Sequence, residues 1–215
     1  MIAIIDYGVG NLFSLQASLK YIGAEARVTG SADDIRNADR IILPGVGAFA
    51  DAIEKLRATG LVEVIKEETS AGKPLLGICL GMQLLFDKSF EYGEHEGLGL
   101  IRGEIASIED DLSPRMKGVL KVPHIGWNSL QIKEDEPLFK NTKQGDYVYY
   151  VHSFYGRGCA ENTIASSQYD ITITGAVRSG SVYGTQFHPE KSGRVGLGIL
   201  RAFNEIQCGG EGGPA

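Results

Sequence analysis

Apolar residues in the first ninety positions come in short blocks separated by stretches of helical spacing, the pattern of a parallel sheet joined by crossover helices. "MIAIID" reads as a strand. Leu12, Leu15, Leu19 and Ile22 then recur at helical intervals, with Gly23 placed to cap the helix C-terminus. "EARVT" is the next strand, Ser31 with Asp34 resembles a capping box opening a short helix, and "RIILPG" is a third strand. Helical patterns follow over residues 48–58 and 61–71. "PLLGIC", almost continuously apolar, suits the centre of a sheet covered on both faces, and "LGMQLLFDKS" is predicted to continue as a helix.

Beyond about residue 97 the texture changes to shorter alternating runs: "GEIASIE", "GVLKVP", "NSLQIK", "YVYYVHSF" and "NTIASSQ", with Gly, Asn and Asp at the breaks. This half is expected to be antiparallel or mixed. "SVYGTQFHPEKSG" is a strand and loop, and "RVGLGILRAFNEI" a last helix. A single domain over residues 1–207 is expected, followed by a frayed Gly-rich tail over 208–215. The acidic clusters "EYGEHE" and "KEDE" read as solvated loops.

Composition narrows the function. A net charge of -6 without a cluster of Lys and Arg argues against nucleic acid. "PLLGICLGMQLLF" is uncharged for thirteen residues, short of the roughly 20 a membrane span needs. No signal-peptide pattern opens the chain. Cys79, Cys159 and Cys208 are too dispersed for a disulfide framework or a zinc site, so a reducing cytoplasm fits.

Cys79 is the first candidate for chemistry. Gly77 and Gly81 flank it symmetrically where the strand meets the helix, as in the turn that projects a nucleophile from the top of a sheet. N–H groups at the helix start, Leu80's first, favour thiolate and can bind an oxyanion. The pattern alone is equally compatible with a buried structural cysteine. "TQFHPEKS" adds the second element: in an extended segment His188 and Glu190 point the same way, and Pro189 stiffens the pair. A base oriented by a carboxylate is what a cysteine nucleophile requires. Of the other histidines, His95 reads as exposed, and His124 and His152 as contacts with structural roles by default. No metal-ligand spacing links them. "DYGVGN" begins a G-x-G-x-x-G, but Phe13 replaces its third glycine, which weakens a dinucleotide loop.

"GICLGMQLL", "FHPEKS" and "LPGVGAF" together resemble the class I glutamine amidotransferases, or triad glutaminases, over nearly the whole chain. The resemblance implies a single-domain flavodoxin-like α/β fold, a central mostly parallel sheet flanked by helices, with an antiparallel portion in the C-terminal half. It implies Cys79 as nucleophile, His188 as base and acid, and Glu190 as the residue that orients the imidazole. Glutamine would lie against Gly45, Gly47, Gln83, His152, Ser153 and Phe154, and the oxyanion against N–H groups of Leu80 and of Val46 or Gly47. Glycine on both sides of Val46 makes a peptide flip inexpensive, so one donor could turn inward only with a partner bound.

"DYGVGN", "PGVGAF", "VPHIGWN" and "YYVHSFY" are similar to the branch of that class whose members serve histidine biosynthesis as a separate glutaminase subunit. That similarity implies a (β/α)8 cyclase as heterodimer partner, docked on Asn11, Trp127, Tyr149 and Lys191, and no cofactor. Trp127, the only tryptophan, is by default a core residue. Three alternatives stay open: a branch serving pyridoxal phosphate, anthranilate or guanylate synthesis, a non-catalytic binding module, and a cysteine peptidase.

Overall fold

Four-residue runs such as Ile2–Ile5 have every side chain buried, which a strand achieves only with a layer packed on each face. In the computed structural model, which describes residues 1–207, both layers are present. The tail over 208–215 lies outside the described residues. The first half runs β1 (Ile2–Ile5), α1 (Leu12–Tyr21), β2 (Ala26–Thr29), α2 (Ala32–Asn37), β3 (Arg40–Leu43), α3 (Phe49–Ala58), α4 (Leu61–Ser70), β4 (Leu75–Ile78) and α5 (Leu80–Leu84). The second runs β5 (Phe86–Ser89), β6 (His95–Glu96), β7 (Ile101–Ser107), α6 (Ile108–Asp111), β8 (His124–Ser129), β9 (Gln131–Ile132), β10 (Tyr147–His152), β11 (Phe154–Arg157), β12 (Thr163–Tyr169), β13 (Ile171–Ser179), β14 (Val182–Thr185) and α7 (Gly193–Glu205).

The main sheet has the order β2-β1-β3-β4-β14-β13-β12-β9. Pairing is parallel from β2 to β14 and antiparallel from β14 to β9, and the remaining strands of the second half form a separate β10-β8 pair and a small sheet, so the change of texture along the sequence marks both a change of strand direction and the start of these smaller sheets. Strand periodicity of two sorts the core. Ile2 and Ile4 join Leu15, Leu19, Ile199 and Phe203 on one face, while Ala3 and Ile5 join Phe49, Ile53, Leu56 and Ile65 on the other. Ser31 accepts the Asp34 N–H, as the capping pattern requires.

Two expectations fail. The helix expected over "LGMQLLFDKS" stops at Leu84, and Phe86–Ser89 becomes a strand of a second sheet ordered β11-β7-β5-β6. Residues 80–86 carry no charge and are buried on every side, so there is no polar helical face to read and periodicity could not find the break. "GVLKVP" forms turns and irregular backbone instead of a strand.

Beside β4 the glycines are dictated by space. A Cβ on Gly81 would lie 1.8 Å from Leu43 O, and one on Gly77 would lie 2.7 Å from Gly81 O. The turn after β4 is therefore pressed against β3 with no room for a methyl group. Gly81→Ala is expected to lower stability by about 3 kcal/mol or more, read as a fall in Tm by calorimetry.

Candidate active site

Cys79 follows β4 directly and adopts φ 54°, ψ -110°, a conformation rarely tolerated by a residue with a Cβ. Its N–H donates to Thr185 O at 2.7 Å and its carbonyl accepts from Gln83 N at 3.1 Å, so the strained residue is held from the sheet side and the helix side. The thiol is mostly buried but lines an open cleft of about 420 Å³.

His188 comes to the same cleft from the end of β14. Its backbone is extended (φ -96°, ψ 101°), the bias Pro189 imposes, and its N–H donates to Tyr149 O at 3.0 Å. Ser192 Oγ donates to His188 O at 2.6 Å and accepts from Tyr149 N at 3.0 Å, tying the loop to β10. Glu190 reaches the imidazole by a different route from the extended one expected. Pro189–Lys191 is a single 3-10 turn that folds the carboxylate back, putting Oε1 2.8 Å from His188 Nδ1.

Both members of this pair are almost fully buried. Burial alone would lower the His188 pKa, but contacts with Cys79 and Glu190 outweigh it and push it up to about 9. At neutral pH the ring is therefore held protonated between a sulfur and a carboxylate. A proton donor so placed can serve a leaving group, and after giving up its proton it can activate water.

Val46, Gly47 and Leu80 line the cleft together with Gln83, His152, Ser153 and Phe154. Gly45 does not. It is buried behind the loop, where a Cβ would meet Gly81 N and Tyr7 Oη at 2.8 Å, so its smallness lets the loop approach the start of α5. Val46 is 40% exposed, and Gly47 takes φ 103°, open to glycine. Gln83 Nε2 donates to Phe154 O at 3.0 Å.

The acidic segment "EYGEHE" was not simply solvated. Glu91 and Tyr92 form part of the cleft wall; Glu91 Oε2 accepts Phe49 N at 2.6 Å and so caps α3, and burial pushes its carboxyl upward. No sequence signal separated Glu91 from its solvated neighbours. "KEDE" is solvated apart from Glu136, which pairs with Arg178 at 3.3 Å. His95 is half-buried instead of exposed, and His124 and His152 are buried partners 3.0 Å apart.

Trp127 is not a core residue. It is 55% exposed and edge-on to Tyr149, with ring centroids 6.0 Å apart on the outer face of the β8–β10 pair, which also exposes Ile125 and Tyr147. Lys191 stands exposed at the cleft, and Asn11 borders a narrow crevice that Val46, His188 and Glu190 share. Among the described residues no three His, Cys, Asp or Glu side chains gather as a metal cluster, and no helix is long and apolar enough to cross a membrane.

The family model described as "Glutamine amidotransferase class-I" matches residues 3–204. A relative in Caldanaerobacter subterraneus subsp. tengcongensis, named "Imidazole glycerol phosphate synthase subunit HisH", is 51% identical over 210 residues, spanning 97% of this chain and all of its own. One of the same name in Oceanobacillus iheyensis is 50% identical, spanning 96% of this chain and 99% of its own. A solved structure described as "glutamine amidotransferase" superposes with TM-score 0.73 over 95% of this chain and 98% of its own, at 18% identity.

Replacing Glu190 with Gln removes a cause of the raised His188 pKa. An NMR titration is expected to find the ring titrating lower by about one pH unit or more. The sign for stability follows: a raised folded pKa stabilises fully below about 6.5 and loses that contribution as pH rises through about 9. Wild type should therefore lose more Tm over this window than Glu190→Gln does.

Proposed function

Since this chain belongs to the class I glutamine amidotransferase family, we propose that it is the glutaminase subunit of an imidazole glycerol phosphate synthase, working in histidine biosynthesis in the cytoplasm. It hydrolyses glutamine to glutamate and delivers the ammonia to a separate (β/α)8 cyclase subunit with which it forms a heterodimer. The observation that carries the reading is the meeting of Cys79 and His188 at one cleft, with Glu190 held against the far nitrogen of His188, in a chain about half identical to subunits of that name.

In the proposed cycle the Cys79 sulfur attacks the side-chain carboxamide carbon of glutamine. Backbone N–H groups of Leu80 and of Val46 or Gly47 stabilise the tetrahedral oxyanion, a contribution of about 3 to 4 kcal/mol for one strong donor. His188 transfers its proton to the departing nitrogen, and the C–N bond breaks to give ammonia and a glutamyl thioester. His188 then takes a proton from water as the water attacks the thioester, and glutamate leaves with Cys79 restored. Glu190 keeps Nδ1 engaged, so that Nε2 faces the reaction. Glu91 offers a carboxylate for the α-ammonium of the substrate.

Ammonia that escapes into water is largely protonated and loses its nucleophilicity, which favours a directly docked consumer. The outer face of β8 and β10 supports such a partner: Trp127 and Tyr149 give aromatic anchors, with Lys191 and Asn11 at the edge of the cleft. The Gly45-Val46-Gly47 loop remains the proposed point of control, where an inward peptide completes the oxyanion site.

Two outcomes test the reading. Glutamate release by the wild-type chain is expected to rise when the cyclase subunit and its ligand are added, and to vanish in Cys79→Ala; equal release with and without the cyclase would remove the control by the partner. Trp127→Ala is expected to weaken cyclase binding by about 2 kcal/mol, measured by titration calorimetry.

A further inference from the structure

Gln186 is fully buried one position past β14 and has no role in the reaction as described so far. Strand register carries it to the nucleophile. β14 lies parallel to β4 with Thr185 opposite Ile78, so the next residues on each side, Gln186 and Cys79, leave the sheet together. Gln186 N donates to Gly175 O at 2.8 Å, which anchors the backbone from β13.

The orientation of the Gln186 carboxamide follows from a series of forced choices. A peptide carbonyl only accepts hydrogen bonds. Phe154 O therefore faces the NH2 end of Gln83, 3.0 Å away. The same Gln83 nitrogen lies 3.1 Å from Gln186, and the atom that it meets must be the oxygen, Oε1. The NH2 end of Gln186 then faces the Cys79 sulfur at 3.9 Å.

Both hydrogens of the Gln83 amide are engaged inside the protein, which leaves its Oε1 as the acceptor available to a ligand in the cleft. The second lone pair of Phe154 O accepts from His152 Nδ1 at 2.8 Å. His152 Nε2 must then accept from His124 Nδ1, and His124 Nε2 from Asn128 Nδ2. Burial pulls the two imidazoles down to about 3 and about 4, so both stay neutral as this polarity requires.

We propose that Gln186 is a positioning residue for glutamine hydrolysis: its Oε1 locks Gln83 with the acceptor oxygen toward a substrate N–H, and its own N–H contacts the Cys79 sulfur. The inference rests on the glutaminase reading above and deepens it. An acceptor at Gln83 suits an amide or ammonium N–H and repels a carboxylate, which ties substrate choice to a residue that need not touch the substrate.

The test compares wild type, Gln186→Glu and Gln186→Met as full-length chains. Glutamate release is measured with the cyclase subunit over a range of glutamine concentrations, and alkylation of Cys79 by iodoacetamide is followed against pH in the free chain. Gln186→Met loses both contacts and is expected to raise KM about five- to tenfold and to displace the alkylation profile to higher pH. Gln186→Glu keeps an oxygen for Gln83 and loses the N–H toward sulfur. Its KM should stay within about twofold of wild type while its alkylation profile moves up.

A purely structural role would lower Tm without separating KM from the alkylation profile. Wild-type KM and alkylation in a folded Gln186→Met would overturn the proposal, and so would equal changes of both quantities in the two variants. If Gln186→Glu does not fold, Gln186→Met decides alone. Failure of the wild type itself to release glutamate would instead overturn the glutaminase reading, while the alkylation curves would still decide the contact with sulfur.

Discussion

The hydrogen bond from Cys79 N–H to Thr185 O extends the β4–β14 ladder one step beyond the last paired residues, and the site depends on it. More than a hundred residues separate the two strands, yet their parallel pairing ends both at the same level. One chain then turns sharply into α5, and the other continues through Gln186 and Phe187 to His188. Because the turn at Cys79 is strained, it persists only where the surroundings over-determine it. Here the ladder bond, the Gln83 N–H and the glycine contacts with β3 do so together.

A second constraint acts on the polar interior. Gln83, Gln186, His124 and His152 are all buried, and a buried polar group without a partner costs about 1 to 3 kcal/mol. Gln83 and His152 both donate to Phe154 O, and that acceptor sets the direction of the bonds they make in turn with Gln186 and His124. The same residues that satisfy the core thereby decide which atoms face the cleft. Strand alternation separates this polar set from the exposed apolar set: His124 and His152 point inward from β8 and β10, while Ile125 and Trp127 point outward.

Much of this was legible in the sequence. Strand-length apolar runs alternating with helical spacing identified the parallel half, because burial on both faces leaves a distinct composition. Gly-x-Cys-x-Gly and His-Pro-Glu were readable because each residue type is dictated by local geometry, although the 3-10 turn carrying Glu190 was not foreseen. What escaped depended on tertiary context. The end of α5 at Leu84 is set by pairing of β5 with β7, which an uncharged, wholly buried run cannot announce. Glu91 looked like its acidic neighbours because capping of α3 is a long-range contact. Trp127 followed the usual preference for burial until the β8–β10 pairing showed which face it occupies. Gln186 lies inside "TQFHPEKS" without a local signal, since its place beside Cys79 comes from register across the sheet.

The 3-10 turn at Pro189–Lys191 has a further consequence. It brings a carboxylate against a protonated ring within the folded chain, so the unfavourable removal of both groups from water is settled when the protein folds. In the proposed reaction each cycle would begin with dipoles already aimed, leaving little solvent rearrangement to accompany the movement of the proton.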